Sequence, residues 1–476
     1  MVTIKYTYTK MGSVMLRDLN DFIQPSTDCI KQTNSKDKQT KSELSKATST
    51  VDLVQLSLKD CLACSGCITT SETLLISQQS STEFIQKIKS DPNCKLAVTI
   101  SQQSVASLCN HFKHPTPMIT VSLLIEFFKY YLNAVGVFDA GIGRNVSLLE
   151  MAKELIQMKQ LENTEKSNQS STFPLLSSIC PGWICYVEKS HPTLISNVSR
   201  TKSPQQIMGY LVKSVWAKCN NYNDIYHVCI MPCADKKLEA IREDFEFDGK
   251  REVDCVLGTA ELLDIFKEFK FDMNNFDTSN LTYDSLFSEA FPSIKYQTCS
   301  NQLNVYNNVT DNASSSPNFY LPSLMRHFGS GSGGYTENIM ILSANVLFPQ
   351  FNLSIENFHN VIQTKNVKNK DFVEFSLVDP ESNNTLLRFA TVNGFRNIQN
   401  VIRHLKQKKC PYDFVEVMAC PSGCLNGGSQ IKTAESLSET YQALPLYKAI
   451  DISDGLNKNR LSTNFHALPS YESTKW

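Results

Sequence analysis

The sequence predicts an α/β protein, with helices layered on mostly parallel sheets. Three observations point there. Short apolar runs of strand length alternate with segments of helical period along most of the chain. Hydrophobic residues make up 41% and charged residues 20% of the 476 residues, enough to bury large cores in two to four domains or lobes. Cys180, Cys233 and Cys420 each fall just after a strand candidate. Open α/β sheets gather ligands at the carboxyl ends of strands, so cysteines far apart in sequence can converge on one site.

Residues 95–100 (KLAVTI) read as a buried strand, and Leu123, Leu124, Phe127, Phe128 and Tyr131 have helical spacing. Residues 135–139 (VGVFD) read as a strand leading into a helix that turns Leu148, Leu149, Ala152, Leu155 and Ile156 inward. Residues 174–179 form a short strand candidate, and Ile207, Met208, Leu211, Val215 and Trp216 mark a helix. Strand 225–231 is followed by helix 234–243. Strand 253–257 is followed by Thr259, placed to cap the next helix. Near the end come strand 385–391, helix 398–405 and strand 414–418.

Residues 32–50, rich in Ser, Thr and Lys, read as a flexible linker, and 162–172 and 307–318 as polar surface loops. Residues 327–335 (HFGSGSGGY) are a Gly-rich loop, and 461–476 a loose tail. This divides the chain into an N-terminal region (1–92), a main α/β body (93–460) and the tail.

A net charge of -1 argues against a protein that holds nucleic acid through a basic face, and gives no support for an anionic-membrane binder. No apolar run reaches the length of a membrane span, and residues 1–16 lack a secretory signal. The 16 cysteines are therefore expected in a reducing compartment, as thiols, metal ligands or catalysts.

Cys61, Cys64 and Cys67 form a C-x2-C-x2-C run. That spacing lets a short loop offer three thiolates to an iron–sulfur cubane; zinc is the main rival. The common run places its next cysteine after three residues, but Ser71 and Glu72 stand there. On spacing alone the fourth ligand is open between Cys29, Cys94 and Cys109. Most remaining cysteines read as buried thiols. His111 and His114 make no convincing metal pair. No nucleophile-elbow motif occurs, and the GIG at 141–143 lacks the third glycine of a dinucleotide loop.

SSICPGW (177–183), MPCADKKLEA (231–240) and EVMACPSGCLNGGSQ (416–430) resemble the three signature segments of iron-only hydrogenases, and the Gly-rich loop resembles one of theirs. DLNDFIQPSTDC (18–29) resembles the opening of the eukaryotic hydrogenase-like proteins, the nuclear prelamin A recognition factor-like group, which act in cytosolic iron–sulfur protein assembly. The resemblance implies a two-lobed body with parallel sheets and a small N-terminal ferredoxin-like region. It implies two 4Fe-4S clusters, one on Cys29, Cys61, Cys64 and Cys67, the other on Cys180, Cys233, Cys420 and Cys424. It also implies a cytosolic setting, with the nucleus as a second location, and as partners a cytosolic targeting complex and an upstream cluster scaffold.

Residue chemistry fits the second quartet. Cys233 opens a helix, and Lys236 and Lys237 offset thiolate charge if they are not simply a solvated face. Gly423, Gly427 and Gly428 allow close backbone approach. Hydrogenases of this family carry a proton-passing cysteine just before the first-segment ligand, and here Ile179 stands there. Isoleucine has no titratable group, so the expectation is a carrier or adaptor rather than an enzyme, with hydrogenase-type redox chemistry as the alternative. Glu239 keeps a position used for proton movement in hydrogenases, yet reads more simply as an exposed helix glutamate. The sequence ends in Trp476, but Thr474 and Lys475 depart from the aliphatic and acidic pair of docking tails.

Overall fold

In the computed structural model, the residues described are 76–164, 173–275, 326–433, 436–446 and 456–467. Helix α1 (Ser81–Ser90) opens on Ser80, whose side chain accepts the Glu83 N–H. Strand β1 (Leu96–Ile100) is buried along its whole length. Leu96, Val98 and Ile100 enter one core, while Ala97 enters another on the opposite face. Helices α2 (Gln102–Phe112) and α3 (Pro117–Glu126) follow. Strand β2 (Gly136–Asp139) then leads directly into α4 (Ala140–Thr164).

Strand β3 is only Leu175–Leu176, and α5 (Pro181–Ser190) follows it. Next come α6 (Pro204–Tyr210), β4 (Tyr226–Met231), α7 (Asp235–Ala240), a ribbon of β5 (Glu246–Phe247) and β6 (Lys250–Arg251), β7 (Cys255–Gly258) and α8 (Glu261–Glu268). The remainder holds α9 (Tyr335–Leu347), β8 (Ile362–Asn366), β9 (Phe372–Val378), β10 (Thr385–Asn393), α10 (Phe395–Lys406), β11 (Phe414–Met418) and α11 (Leu437–Gln442).

Two sheets define two lobes. The first has the order β2-β1-β4-β7 and is parallel throughout. The second has the order β3-β11-β10-β9-β8. It is parallel across β3, β11 and β10 but antiparallel across β10, β9 and β8. Helix α4 serves both lobes. Its Ile142 and Val146 pack with the first, its Met151 and Leu155 with the second.

Three local expectations change. Thr259 does not cap α8; Ala260 takes that position, and the Thr259 hydroxyl donates to Ser104. Helix α4 continues through the start of the expected 162–172 loop, to Thr164. The stretch from Leu461 is packed as far as it is described. Leu461 is 1% exposed, Lys202 donates to its carbonyl, and Thr463 donates to that of Arg200. Leu456 and Leu461 join the first lobe's core, whereas Phe465 packs on the second lobe's, so residues 456–467 strap the lobes together. Beside the strap, Arg242 forms a two-pronged pair with Glu188 at 2.7 and 2.8 Å, joining the segment after α7 to α5. No helix among the described residues is long and apolar enough to cross a membrane.

Candidate metal centre

Strand ends bring four predicted cysteines to the seam between the lobes. Cys180 follows β3 and caps α5, with Pro181 at its first position. Cys233 follows β4 through Pro232. Cys420 follows β11, and Cys424 sits in the helical turn Gly423–Asn426. Three thiols thus come from the second sheet and one from the first. Cys233 feels the charge of Cys420, Cys424 and Cys180, and Cys420 that of Cys180 and Cys424. Among the described residues no three His, Cys, Asp or Glu side chains close on one point as ligands of a single ion do. Four neighbouring thiols are the donor set of a polynuclear cluster, in which each sulfur binds a different iron.

The backbone supports this arrangement. The Ala419 N–H donates to Cys180 Sγ at 3.3 Å. Gly428 N–H donates to the Cys420 thiol, and Ser332 Oγ accepts the Cys424 N–H at 3.0 Å. Two glycines allow the close fit. Gly423 has φ +73, and a Cβ there would lie 2.2 Å from Ser332 Oγ. A Cβ on Gly427 would lie 2.2 Å from the carbonyl oxygen of Pro232, beside Cys233.

Burial dominates the electrostatics. It pushes the Cys180 thiol up to about 12, despite the Ala419 N–H, and raises Cys233 and Cys420 well above their ordinary value. Cys424 is raised as well, with Ser332, Arg144 and Lys236 easing its ionisation. The surroundings of Cys233 do not ease it: the helix begins only at Asp235, whose carboxylate opposes ionisation. Four half-buried cysteines, with N–H donors on the Cys180 and Cys420 sulfurs and cations near Cys424, form a soft donor set. It suits thiophilic iron, whose binding would displace the thiol protons.

The two lysines part company. Lys236 Nζ donates to the Ile179 carbonyl at 3.1 Å and to Glu239 at 2.7 Å, so it stays beside the quartet. Lys237 turns away to Glu261 and the Gln79 carbonyl, both at 2.6 Å, and is buried rather than solvated. Glu239 is also not the exposed helix residue expected: it is 5% exposed and accepts from Ser203, Gln205 and Lys236. Ile179 lies in the second lobe's core.

Cys29, Cys61, Cys64, Cys67 and Cys299 lie outside the described residues, as do the 32–50 linker, the 307–318 loop and Trp476. Cys109 is buried and donates to the His114 carbonyl, and Cys94 is half-buried. Cys229 and Cys255 are buried as expected; Cys185 and Cys410 are half-buried, and Cys219 is exposed. His114 is committed to Thr120 and the Met273 carbonyl. Sequence reasoning missed Ser332 and Arg144. The Gly-rich loop was the signal for Ser332; nothing in the sequence marked Arg144.

Residues 94–428 match the family model described as the iron only hydrogenase large subunit, C-terminal domain. The chain belongs to that iron-only hydrogenase-like family. Its curated relatives include a protein of Xenopus tropicalis named cytosolic Fe-S cluster assembly factor narfl, 40% identical across 88% of this chain and 84% of the relative. Cytosolic iron-sulfur assembly component 3 of Mus musculus is 38% identical across 91% and 87%, and protein NAR1 of Arabidopsis thaliana 36% across 91% and 86%. Among solved structures, a variant of the FeFe-hydrogenase HydA1 from Chlamydomonas reinhardtii aligns with a TM-score of 0.60. Its identity is 22%, covering 82% of this chain and 99% of that one, a likeness of fold. The hydrogenase-like fold of this family is thus the frame that carries the quartet.

Proposed function

We propose that this iron-only hydrogenase-like chain is a component of the cytosolic iron–sulfur protein assembly machinery. It acts as a carrier or adaptor in the maturation of cytosolic and nuclear iron–sulfur proteins. The observation that carries this reading is its likeness, at 36–40% identity over most of its length, to relatives named for that assembly. On this reading the chain holds two 4Fe-4S clusters. Cys29, Cys61, Cys64 and Cys67 hold one, and Cys180, Cys233, Cys420 and Cys424 hold the other at the seam. When bound, such a cluster supplies transferable iron and sulfide or a redox-active centre. The chain's own residues fix its surroundings: Ala419 and Gly428 aim N–H groups at the sulfurs, Ser332 sets the Cys424 loop, and Lys236 adds charge.

The work is non-catalytic on this reading. Ile179, buried and apolar, stands where a proton-passing thiol would be needed, and its carbonyl only anchors Lys236. The expected partners are an upstream cluster scaffold and a cytosolic targeting complex, and the expected compartment is the cytosol, with the nucleus as a second.

Depletion of the chain in cells should lower the activity of unrelated cytosolic iron–sulfur enzymes. Unchanged activities would remove the assembly role. Anaerobically purified chain should carry about eight irons, and Cys233→Ala about half as many. Zinc without acid-labile sulfide, or sustained dihydrogen turnover, would overturn the carrier reading.

A further inference from the structure

Buried cations in this fold come with carboxylates. Lys202 meets Glu252 at 3.0 Å, Arg460 meets Glu252 at 2.9 Å, Lys237 meets Glu261 at 2.6 Å, and Arg242 meets Glu188 at 2.7 Å. Arg144 is different. It lies in α4 just after β2, at the seam, and is 5% exposed. Its Nη1 donates to Gln102 Oε1 at 2.9 Å and its Nη2 to Gln103 Oε1 at 3.3 Å, while Nε has no acceptor. Among the described residues no carboxylate comes within ion-pair distance of it. Asp139 accepts from Gln102, and Glu416, although it feels the Arg144 charge, is held by Thr336 and Ser330.

A guanidinium cannot shed its proton to escape this position. A buried charge hydrogen-bonded only to neutral amides, with Glu416 acting on it from beyond contact distance, is costly until an anion arrives nearby. The direction from which one would arrive is set by the Gly-rich loop. A Cβ on Gly333 would lie 2.6 Å from Arg144 Nε, so the guanidinium lies directly against the loop backbone. The next residue back, Ser332, holds the Cys424 N–H. The cation therefore sits behind the loop whose Ser332 holds the backbone of Cys424, one ligand of the quartet.

We propose that Arg144 is the counter-charge of the seam cluster: an anionic iron–sulfur cluster on Cys180, Cys233, Cys420 and Cys424 completes its charge balance, and Arg144 in turn sets that cluster's retention and reduction potential. This deepens the cluster reading and rests on it. Arg144 is a positioning residue, since it acts through charge and through the loop rather than as a ligand.

The test separates this from a packing role by the sign of two effects. Full-length chains with Arg144→Met and Arg144→Lys are made in a Cys64→Ala background, so that the seam cluster is read alone. Without cluster, the Arg144→Met chain should unfold at a temperature no lower than its parent, because a costly buried charge is gone. With cluster, it should lose iron to a chelator about tenfold faster. Its potential, from redox titration followed by electron paramagnetic resonance, should be more negative. Arg144→Lys, which keeps the charge, should stay close to the parent in both readouts.

Equal destabilisation of the cluster-free and cluster-bound chains by Arg144→Met would overturn the proposal. So would unchanged iron loss and potential, or a Lys variant that behaves like the Met variant. Parent chain that carries no iron or sulfide would instead refute the cluster reading itself.

Discussion

The two lobes solve the same packing problem with different sheets. The first is parallel throughout, and every residue of β1, β2 and β7 is buried. The second turns antiparallel at its outer edge, where four of the five residues of β8 are exposed. Their contributions to the seam differ as well. The first lobe supplies one thiol together with Arg144 and Lys236, whereas the second supplies three thiols. The lesson is a division of labour: one lobe carries most of the sulfur, the other the positive charge that answers it.

The largest expected effect comes from breaking the seam. Glu188 is 1% exposed, and Glu188→Gln would remove the two-pronged carboxylate from Arg242, leaving Asp244 at 2.8 Å as its remaining partner. The expected loss is about 2 kcal/mol of stability, less than the cost of orphaning a buried charge because Asp244 stays. Denaturant unfolding followed with a probe in each lobe should then show two transitions rather than one.

Two buried groups, one in each lobe, should answer pH with opposite signs. In the first, burial lowers His227 to about 3. The native state binds fewer protons there than the unfolded chain does, so stability falls as pH drops from about 6.5 toward 3. In the second, burial beside Glu416 pushes Glu337 up to about 8. The native state keeps a proton the unfolded chain releases, so stability falls as pH rises from about 4.5 to 8. Urea midpoints measured across pH should lose the alkaline slope in Glu337→Gln and keep the acid one.

The smallest effect sharpens the first lobe alone. Ser80→Ala removes the side-chain acceptor at the start of α1 and should cost about 1 kcal/mol, seen as faster amide exchange in that helix. Exchange in β10 should not change.

How much of this was legible in the sequence follows the same contrast. Strand β11 was read to the residue and β1 to within one, because a strand buried on both faces is mostly apolar, broken here only by Glu416 and Thr99. Strands β8 and β9 were missed. Only Ile362 of β8 is buried, so no alternation marks it. Cys180, Cys233 and Cys420 were legible because each trails a strand, and topology then brings them together. Arg144 was not, because its meaning lies in what it lacks. Gln102 and Gln103 come from another helix, Gly333 from the other lobe, and no local pattern encodes a missing carboxylate.

The strap of residues 456–467 has a consequence for biosynthesis. Tyr441, Leu444, Leu456 and Leu461 all belong to the first lobe's cores, yet a ribosome delivers them long after Val98, Val228 and Leu257. The lobe begun first therefore waits for residues made after most of the second. Until they emerge, the nascent chain displays a greasy surface that invites aggregation or chaperone capture.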